Sequence, residues 1–221
     1  HVTFLKHLKA QGYYDIFLID ADGNIVYTVQ KERDFGTNLI SGPYKDTGLA
    51  QVFRKVIASD DPDAFANSDF EAYAPSNGAP AAFVAVPIIM NERKLGVLAY
   101  QLPNDQLNTI FANTRGLGET GETLLVDKAG MLVSDSVRTS DVDSLKVAIN
   151  SPLLAATLGG QDVNGNIEGY RGITSYAAAV PLDFGDVRWS VVALIGEEEV
   201  MAQLVSAGLK SAGIGAFLVL I

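Results

Sequence analysis

Two stretches of this 221-residue chain repeat each other and decide the fold: residues 15–26, DIFLIDADGNIV, and residues 122–133, ETLLVDKAGMLV. They align without a gap at an offset of 107, residue 122 standing against residue 15. The positions that are identical in the two copies are, in the numbering of the first, Leu18, Asp20, Gly23 and Val26. Each copy has an apolar run, a turn with Asp and Gly, and a second apolar run, which predicts a β-hairpin.

A second repeated pair of strands follows each hairpin. Residues 85–87, AVP, recur at 179–181, an offset of 94. At the same offset, Val97 and Ala99 recur as Val191 and Ala193. The shared offset across two strands indicates two modules of one fold, and the smaller offset means that the second module is shorter in its middle.

Periodicity predicts the same elements in both modules. The elements predicted for the first module are a hairpin at 15–29, a helix at 48–58, and strands at 69–75, 80–89 and 94–102. Those predicted for the second are a hairpin at 122–136, a helical middle at 141–158, and strands at 167–171, 173–182 and 187–195. A hairpin, helices and a three-stranded meander give a five-stranded antiparallel sheet flanked by helices. The predicted fold class is therefore α+β, with two tandem PAS-like modules.

The predicted elements divide the chain into four segments. We expect an N-terminal helix to end in residues 1–10, the two modules to occupy 11–112 and 113–196, and a C-terminal helix to begin at 197. The last 11 residues are uncharged and mostly apolar, whereas a membrane span takes about 20 such residues. We expect 197–221 to lead into a transmembrane helix; a buried terminal helix or strand is the alternative.

Composition excludes several classes of function. The formal net charge is −10, which argues against nucleic acid as a partner. There is no cysteine, and the only histidines are His1 and His7, so cysteine chemistry and a mid-chain histidine base are excluded. We expect no enzyme activity, no catalytic residue, no cofactor and no metal site. The glycine motif at 116–121 fits the spacing of a nucleotide fingerprint, but a strand follows it where the fingerprint needs a helix, so no nucleotide site is expected. The oxygen-rich run at 162–168 has its glycine at the fourth position instead of the sixth and is interpreted as an Asn-Gly turn, not a calcium loop.

A cluster of polar and aromatic residues in the first module is typical of a small-molecule pocket. With a period of two, the strand 69–75 presents one face with Asp69 and Tyr73, and the later strands present Phe83 and Gln101. If those faces adjoin, aromatic walls surround a few polar groups; the alternative is a packed core. The predicted ligand-binding residues are Tyr44, Asp46, Asp69, Tyr73, Phe83 and Gln101.

The order of these motifs resembles a double Cache sensor domain. The motifs are GPYKD at 42–46, YAPS at 73–76, AFVAVP at 82–87, GVLAYQ at 96–101 and GETGETLLVD at 118–127. The resemblance implies the extracytoplasmic, periplasmic part of a bacterial inner-membrane receptor, most often a chemotaxis receptor. It also implies a homodimer, a ligand in a membrane-distal first module, and a membrane-proximal second module.

The resemblance leaves the receptor type and the ligand open. A histidine kinase, a nucleotide cyclase and a docking module for a periplasmic binding protein are alternatives, and a hydrolytic enzyme is a more distant one. Amino-acid-binding relatives carry the pattern Arg-x-Trp-Tyr and an aspartate on the last strand. This chain keeps the tyrosine as Tyr44, but it has Ser41 in place of the arginine and Pro43 in place of the tryptophan. Gln101 stands in place of the aspartate. The missing arginine argues against an ordinary α-amino acid. Asp46 and Asp69 remain candidates for binding an amine ligand. Lys45 and Arg54 remain candidates for binding an acidic ligand.

Two further expectations concern the second module and mutagenesis. Tyr170, Arg171 and Tyr176 either line a second pocket or are structural, and the structural role is favoured. Replacing Tyr73 or Gln101 by alanine is expected to remove ligand binding without unfolding the domain.

Overall fold

The computed structural model describes residues 1–207, which form two antiparallel sheets with helices packed against them. The predicted α+β class with two modules is confirmed. The elements of the first module are α1 (Val2–Gln11), β1 (Asp15–Asp20), β2 (Ile25–Thr28), α2 (Gly48–Ala58), β3 (Ala66–Asn67), β4 (Glu71–Tyr73), β5 (Ala79–Met90) and β6 (Arg93–Pro103). After α3 (Asn104–Phe111), the second has β7 (Glu122–Val126), α4 (Pro152–Leu158), β8 (Val163–Ile167), β9 (Ser175–Phe184) and β10 (Val187–Gly196). Residues 197–207 are helical.

The first sheet has six strands where five were predicted. Its order is β2-β1-β6-β5-β3, and β4 also pairs with β5. The two short strands share one edge of β5, because the ladder there is interrupted. The ladder along β5 breaks at Ser68, just before the predicted strand at 69–75, which is reduced to β4. The backbone N–H of Ser68 donates to the carbonyl of Phe83, while its hydroxyl replaces its own carbonyl as acceptor for the Phe83 N–H. A short 3₁₀ turn, Ala74–Ser76, then takes the place of the end of the predicted strand.

The second sheet has four strands, in the order β7-β10-β9-β8, where five were predicted. The return arm of the predicted hairpin forms isolated bridges, Leu132 with Val126 and Met131 with Ala148, but no strand. Beyond these bridges the N–H of Leu125 donates to the hydroxyl of Ser134. The predicted helical middle is helical only from Pro152, and β8 ends at Ile167 rather than beginning there.

The repeated hairpin turns are held in the same way in both modules. The Oδ1 atom of Asp20 accepts from the backbone N–H groups two and four residues further on, and Oδ1 of Asp127 does likewise. Gly23 and Gly130 complete the turns at φ values of 86° and 82°, where a side chain would be strained. The repeat that predicted the two modules is therefore a repeated Asx turn.

The core of the first module lies between its sheet and α2. Helix α2 begins after the capping residue Thr47, and its apolar residues recur at helical spacing toward the sheet. The N–H of Gly48 donates to the Glu71 carboxylate, and a Cβ at this glycine would lie 2.8 Å from the hydroxyl of Ser68. The large, fully buried side chains of this core are Phe17, Ile19, Leu49, Phe53, Tyr73 and Phe83.

A third apolar cluster joins the modules, with Phe70 and Ala82 from the first packed against Leu125, Val133 and Trp189 from the second. Among residues 1–207 no helix is both long enough and apolar enough to cross a bilayer. The transmembrane start predicted near the C-terminal end lies outside the described residues.

Candidate ligand-binding site

Three of the predicted site residues lie together in the first module. The register of β5 with β6 places Phe83 directly opposite Gln101, so the faces inferred from alternation do adjoin. The rings of Tyr73 and Phe83 meet edge to face with centroids 4.9 Å apart. Tyr73 and Phe83 are fully buried, and Gln101 is 2% exposed.

The other three predicted residues are arranged differently. Tyr44 is half-buried and packs against the same core. Asp46 is exposed and pairs with Lys45 at 2.8 Å, outside the group. Asp69 faces the second module, where its Oδ1 accepts from Nε1 of Trp189 at 2.7 Å. The expectation that Asp69 shares a face with Tyr73 is wrong, because the chain leaves the ladder just before it.

Sequence reasoning missed two acidic residues that contact the predicted cluster. The hydroxyl of Tyr73 donates to Oδ2 of Asp34 at 2.6 Å. Oε2 of Glu32 accepts from the hydroxyl of Ser76 at 2.6 Å, and Nε2 of Gln101 donates to that same hydroxyl at 3.1 Å. We call these six residues the acidic network. It consists of two hydrogen-bonded sets, Tyr73 with Asp34, and Tyr14, Glu32, Ser76 and Gln101 with one another. The charge of Glu32 acts on Asp34, so the two sets lie close together.

Turns in the segment 29–47 bring the two carboxylates to the cluster. Lys31 adopts φ 56°, and its N–H donates to the hydroxyl of Thr28 at 2.6 Å. Further on, the N–H and the hydroxyl of Thr37 both donate to the carbonyl of Asp34. Lys31 and Arg33 are exposed, Glu32 is half-buried and Asp34 is fully buried. The acidic residues therefore face inward and the basic ones face solvent.

The acidic network holds buried acceptors that lack donors. Within residues 1–207, neither Oδ1 of Asp34 nor Oε1 of Gln101 has a hydrogen-bond partner. Burial raises the pKa of Asp34, opposed in part by the Tyr73 hydrogen bond, and the Glu32 charge raises it further. Burial also raises the pKa of Tyr73, with the Asp34 charge adding to it. An unpartnered buried acceptor costs about 1–3 kcal/mol, so this group is suited to receive a donor from a bound molecule.

The two modules differ at the residue that starts each repeated hairpin. Asp15 and Glu122 are both fully buried. Oδ1 of Asp15 accepts three backbone N–H groups, but Oδ2 has no partner within residues 1–207. Glu122 instead pairs with Arg171 at 2.7 Å and accepts from the hydroxyl of Ser136 at 2.6 Å. The second module therefore neutralises its buried acid, and the first does not.

The candidate residues of the second module do not surround one pocket. Tyr170 is 7% exposed and packs in the core, and Arg171 is occupied by its ion pair. Tyr176 lies on the outward face of β9, where its hydroxyl donates to Glu197 at 3.1 Å. Throughout residues 1–207, no group of three acidic or histidine side chains is placed to hold a metal ion.

Two antiparallel α+β modules in tandem, joined by a short helix and ending in a further helix, define a double PAS-like fold. The sequence model of the Cache domain family matches residues 2–204, and the chain belongs to this family.

Individual relatives agree with this assignment. The chain is 28% identical over 218 residues to the Probable chemoreceptor y4sI of Sinorhizobium fredii, a match that covers 97% of this chain and 26% of the relative. The chain thus spans about a quarter of the length of that curated relative. Two solved structures share the fold. One is the ligand-binding domain of the Pseudomonas aeruginosa amino acid chemoreceptor PctC with GABA (15% identity, covering 84% of this chain and 75% of that one, TM-score 0.57). The other is the sensor domain of the V. cholerae histidine kinase DctB (14% identity, covering 88% of this chain and 76% of that one, TM-score 0.59).

Proposed function

We propose that the chain is the extracytoplasmic ligand-sensing domain of a bacterial transmembrane receptor, of the chemotaxis type, and that its first module binds a small polar molecule. Membership of the Cache family and similarity to a relative named as a chemoreceptor support the receptor class. Binding of amino acids by solved proteins of the same fold supports a small ligand. The domain detects the ligand by binding it, and the proposal assigns it no catalytic step.

The single observation that carries the ligand site is the acidic network. In it, Tyr73 at the end of β4 donates to Asp34, and Gln101 of β6 is linked through the hydroxyl of Ser76 to Glu32. Two carboxylates from an irregular segment thus reach the predicted cluster. Buried polar groups in proteins are nearly always satisfied. Two unpartnered acceptors, Oδ1 of Asp34 and Oε1 of Gln101, lie beside the predicted cluster, and a donor from a bound ligand would satisfy both.

The proposal gives each segment a place in the receptor. Residues 11–112 form the membrane-distal, ligand-binding module and residues 113–196 the membrane-proximal one. Residues 1–10 end a helix that comes from the membrane, and residues 197–221 lead back into it. Two such chains form a homodimer in the periplasm, anchored in the inner membrane. A ligand shifts the receptor between two states by its difference in affinity for them.

A thermal-shift panel tests the proposed function. Amines, amino acids, organic acids, purines and sugars are added to the purified domain near millimolar concentration. A ligand at 100 times its dissociation constant adds about 2.7 kcal/mol of stability, so a binder gives a visible rise in Tm. No rise with any class of compound contradicts the proposal.

Variants then locate the site. Because Tyr73 is fully buried, an alanine there is expected to cost about 3–5 kcal/mol, so Tyr73→Phe is the sharper test. It keeps the ring against Phe83 and removes the hydroxyl that orients Asp34. We expect Tyr73→Phe and Gln101→Leu to weaken binding at least tenfold. Asp46→Asn, at an exposed carboxylate of the same module, is the matched control and is expected to bind normally.

A further inference from the structure

On the basis of the proposed function, we infer that the ligand of the first module is a small organic cation, an amine or alkylammonium compound without a carboxylate. The acidic network brings two carboxylates to one site, and its other members are a glutamine, a serine and two tyrosines. Within residues 1–207, neither Glu32 nor Asp34 forms an ion pair with a basic side chain. A cation is the ligand whose charge complements such a group.

Hydrogen-bond chemistry leads to the same class of ligand. The free positions at Oδ1 of Asp34 and Oε1 of Gln101 are both acceptors. A primary ammonium group offers three N–H donors and no lone pair. A ligand carboxylate would instead place its own lone pairs and negative charge against these oxygens.

Aromatic side chains surround the same place. The rings of Tyr73 and Phe83 pack against each other, and Tyr44, from the segment 29–47, packs against the core cluster that contains them. Aromatic faces attract alkylammonium groups, by about 0.5–2 kcal/mol each. Because the ring of Tyr73 lies between Phe83 and the Asp34 carboxylate that it contacts, a cation with a short apolar body would complement both kinds of group.

In the segment 29–47, Lys31 and Arg33 are exposed to solvent. The other basic side chains of this segment and of α2 have partners outside the acidic network. Lys45 pairs with Asp46, and Nη1 of Arg54 donates to the backbone carbonyl of Lys45 at 2.6 Å. Both are therefore held away from the acidic network, and neither is placed to anchor a carboxylate there. A bound carboxylate would lack the bidentate contact by which an arginine usually holds it.

Matched pairs of compounds test this inference by isothermal titration calorimetry. Each pair is a primary amine and the amino acid that carries a carboxylate in addition: ethanolamine and serine, putrescine and ornithine, tyramine and tyrosine. We expect at least one amine to bind, and in every pair that binds we expect the amine to be at least tenfold tighter than its counterpart.

The outcomes separate the inference from the proposed function. If the carboxylated member binds more tightly, or if only acids, purines or sugars bind, the cation class is overturned while a ligand-sensing role stands. If the domain binds no compound of any class, both are overturned.

Charge-removing variants place the cation at the acidic network. Glu32→Gln and Asp34→Asn are each expected to weaken amine binding at least tenfold, and Asp46→Asn is expected to leave it unchanged. Because Asp34→Asn removes a buried charge, its Tm without ligand is expected to equal or exceed that of the wild type, so lost binding would not reflect unfolding. Unchanged amine affinity in both network variants would overturn the inference.

Discussion

Asp15 is predicted to make the protein less stable as the pH rises from about 4 to about 6. Its side chain is fully buried, and burial raises its pKa from 3.8 to about 6 against the opposing effect of three backbone hydrogen bonds. The folded state therefore holds the proton more tightly than the unfolded chain. The stability that protonated Asp15 contributes is complete below the pKa of the unfolded chain, and it is lost as the pH rises from there through the pKa of the folded state. This is the reverse of the usual behaviour of a carboxylate paired with a cation.

The magnitude follows from the two pKa values. One pKa unit corresponds to about 1.4 kcal/mol, so the difference between 3.8 and about 6 amounts to about 3 kcal/mol of lost stability at neutral pH. Asp15→Asn keeps an oxygen that accepts the three N–H groups and removes the titration. Other carboxylates titrate equally in both proteins, so the difference between them isolates Asp15.

Urea unfolding at pH 4, 5, 6 and 7, followed by circular dichroism, measures this difference. We expect the wild type to lose about 2 kcal/mol relative to Asp15→Asn between pH 4 and pH 7, with most of the change below pH 6. The exposed Asp46→Asn control is expected to show no such trend. A wild-type-minus-variant difference that stays constant within about 0.5 kcal/mol would refute the reasoning.

Three further predictions test other parts of the structure. Arg171→Met leaves the buried Glu122 carboxylate without its cation and is expected to lower the free energy of unfolding by about 3–5 kcal/mol. Adding Glu122→Gln should restore most of this free energy, and an unchanged stability in the single variant would contradict the prediction. Trp189→Phe keeps an aromatic ring at the junction but removes the N–H that Asp69 accepts, at an expected cost of about 1.5–3 kcal/mol; a double-mutant cycle with Asp69→Ala should then show coupling, and additive effects would not fit. Gly96→Ala places a Cβ against a backbone carbonyl of β1, so we expect a loss of about 3 kcal/mol or more in urea unfolding, and a neutral result would show that the strands separate easily.

Local chemistry explains which parts of the fold could be predicted. The hairpin turns were predictable because Asp20 and its counterpart Asp127 act on backbone groups only two and four residues away. The contact between Phe83 and Gln101 was predictable because strand alternation fixes which residues share a face.

Predictions failed where a side chain replaced a backbone group. The hydroxyls of Ser68 and Ser134 accept ladder hydrogen bonds. The ladder breaks just before one predicted strand, which is shortened to β4, and another predicted strand is reduced to isolated bridges. Alternation then no longer applies to Asp69. Glu32 and Asp34 lie in a segment held by turns, where no periodicity indicates orientation. Their only signal was the alternation of basic and acidic residues at 31–34, which matches the observed alternation of exposed and inward-facing side chains.

Hydrogen–deuterium exchange with and without the panel compound that raises Tm most would test the central claim, that the first module holds the ligand at the acidic network. We predict that the bound compound slows exchange in residues 29–47 and in β4 with its following turn, 71–76, and that Asp34→Asn abolishes this protection. Protection confined to residues 113–196, or protection that survives Asp34→Asn unchanged, would contradict the account.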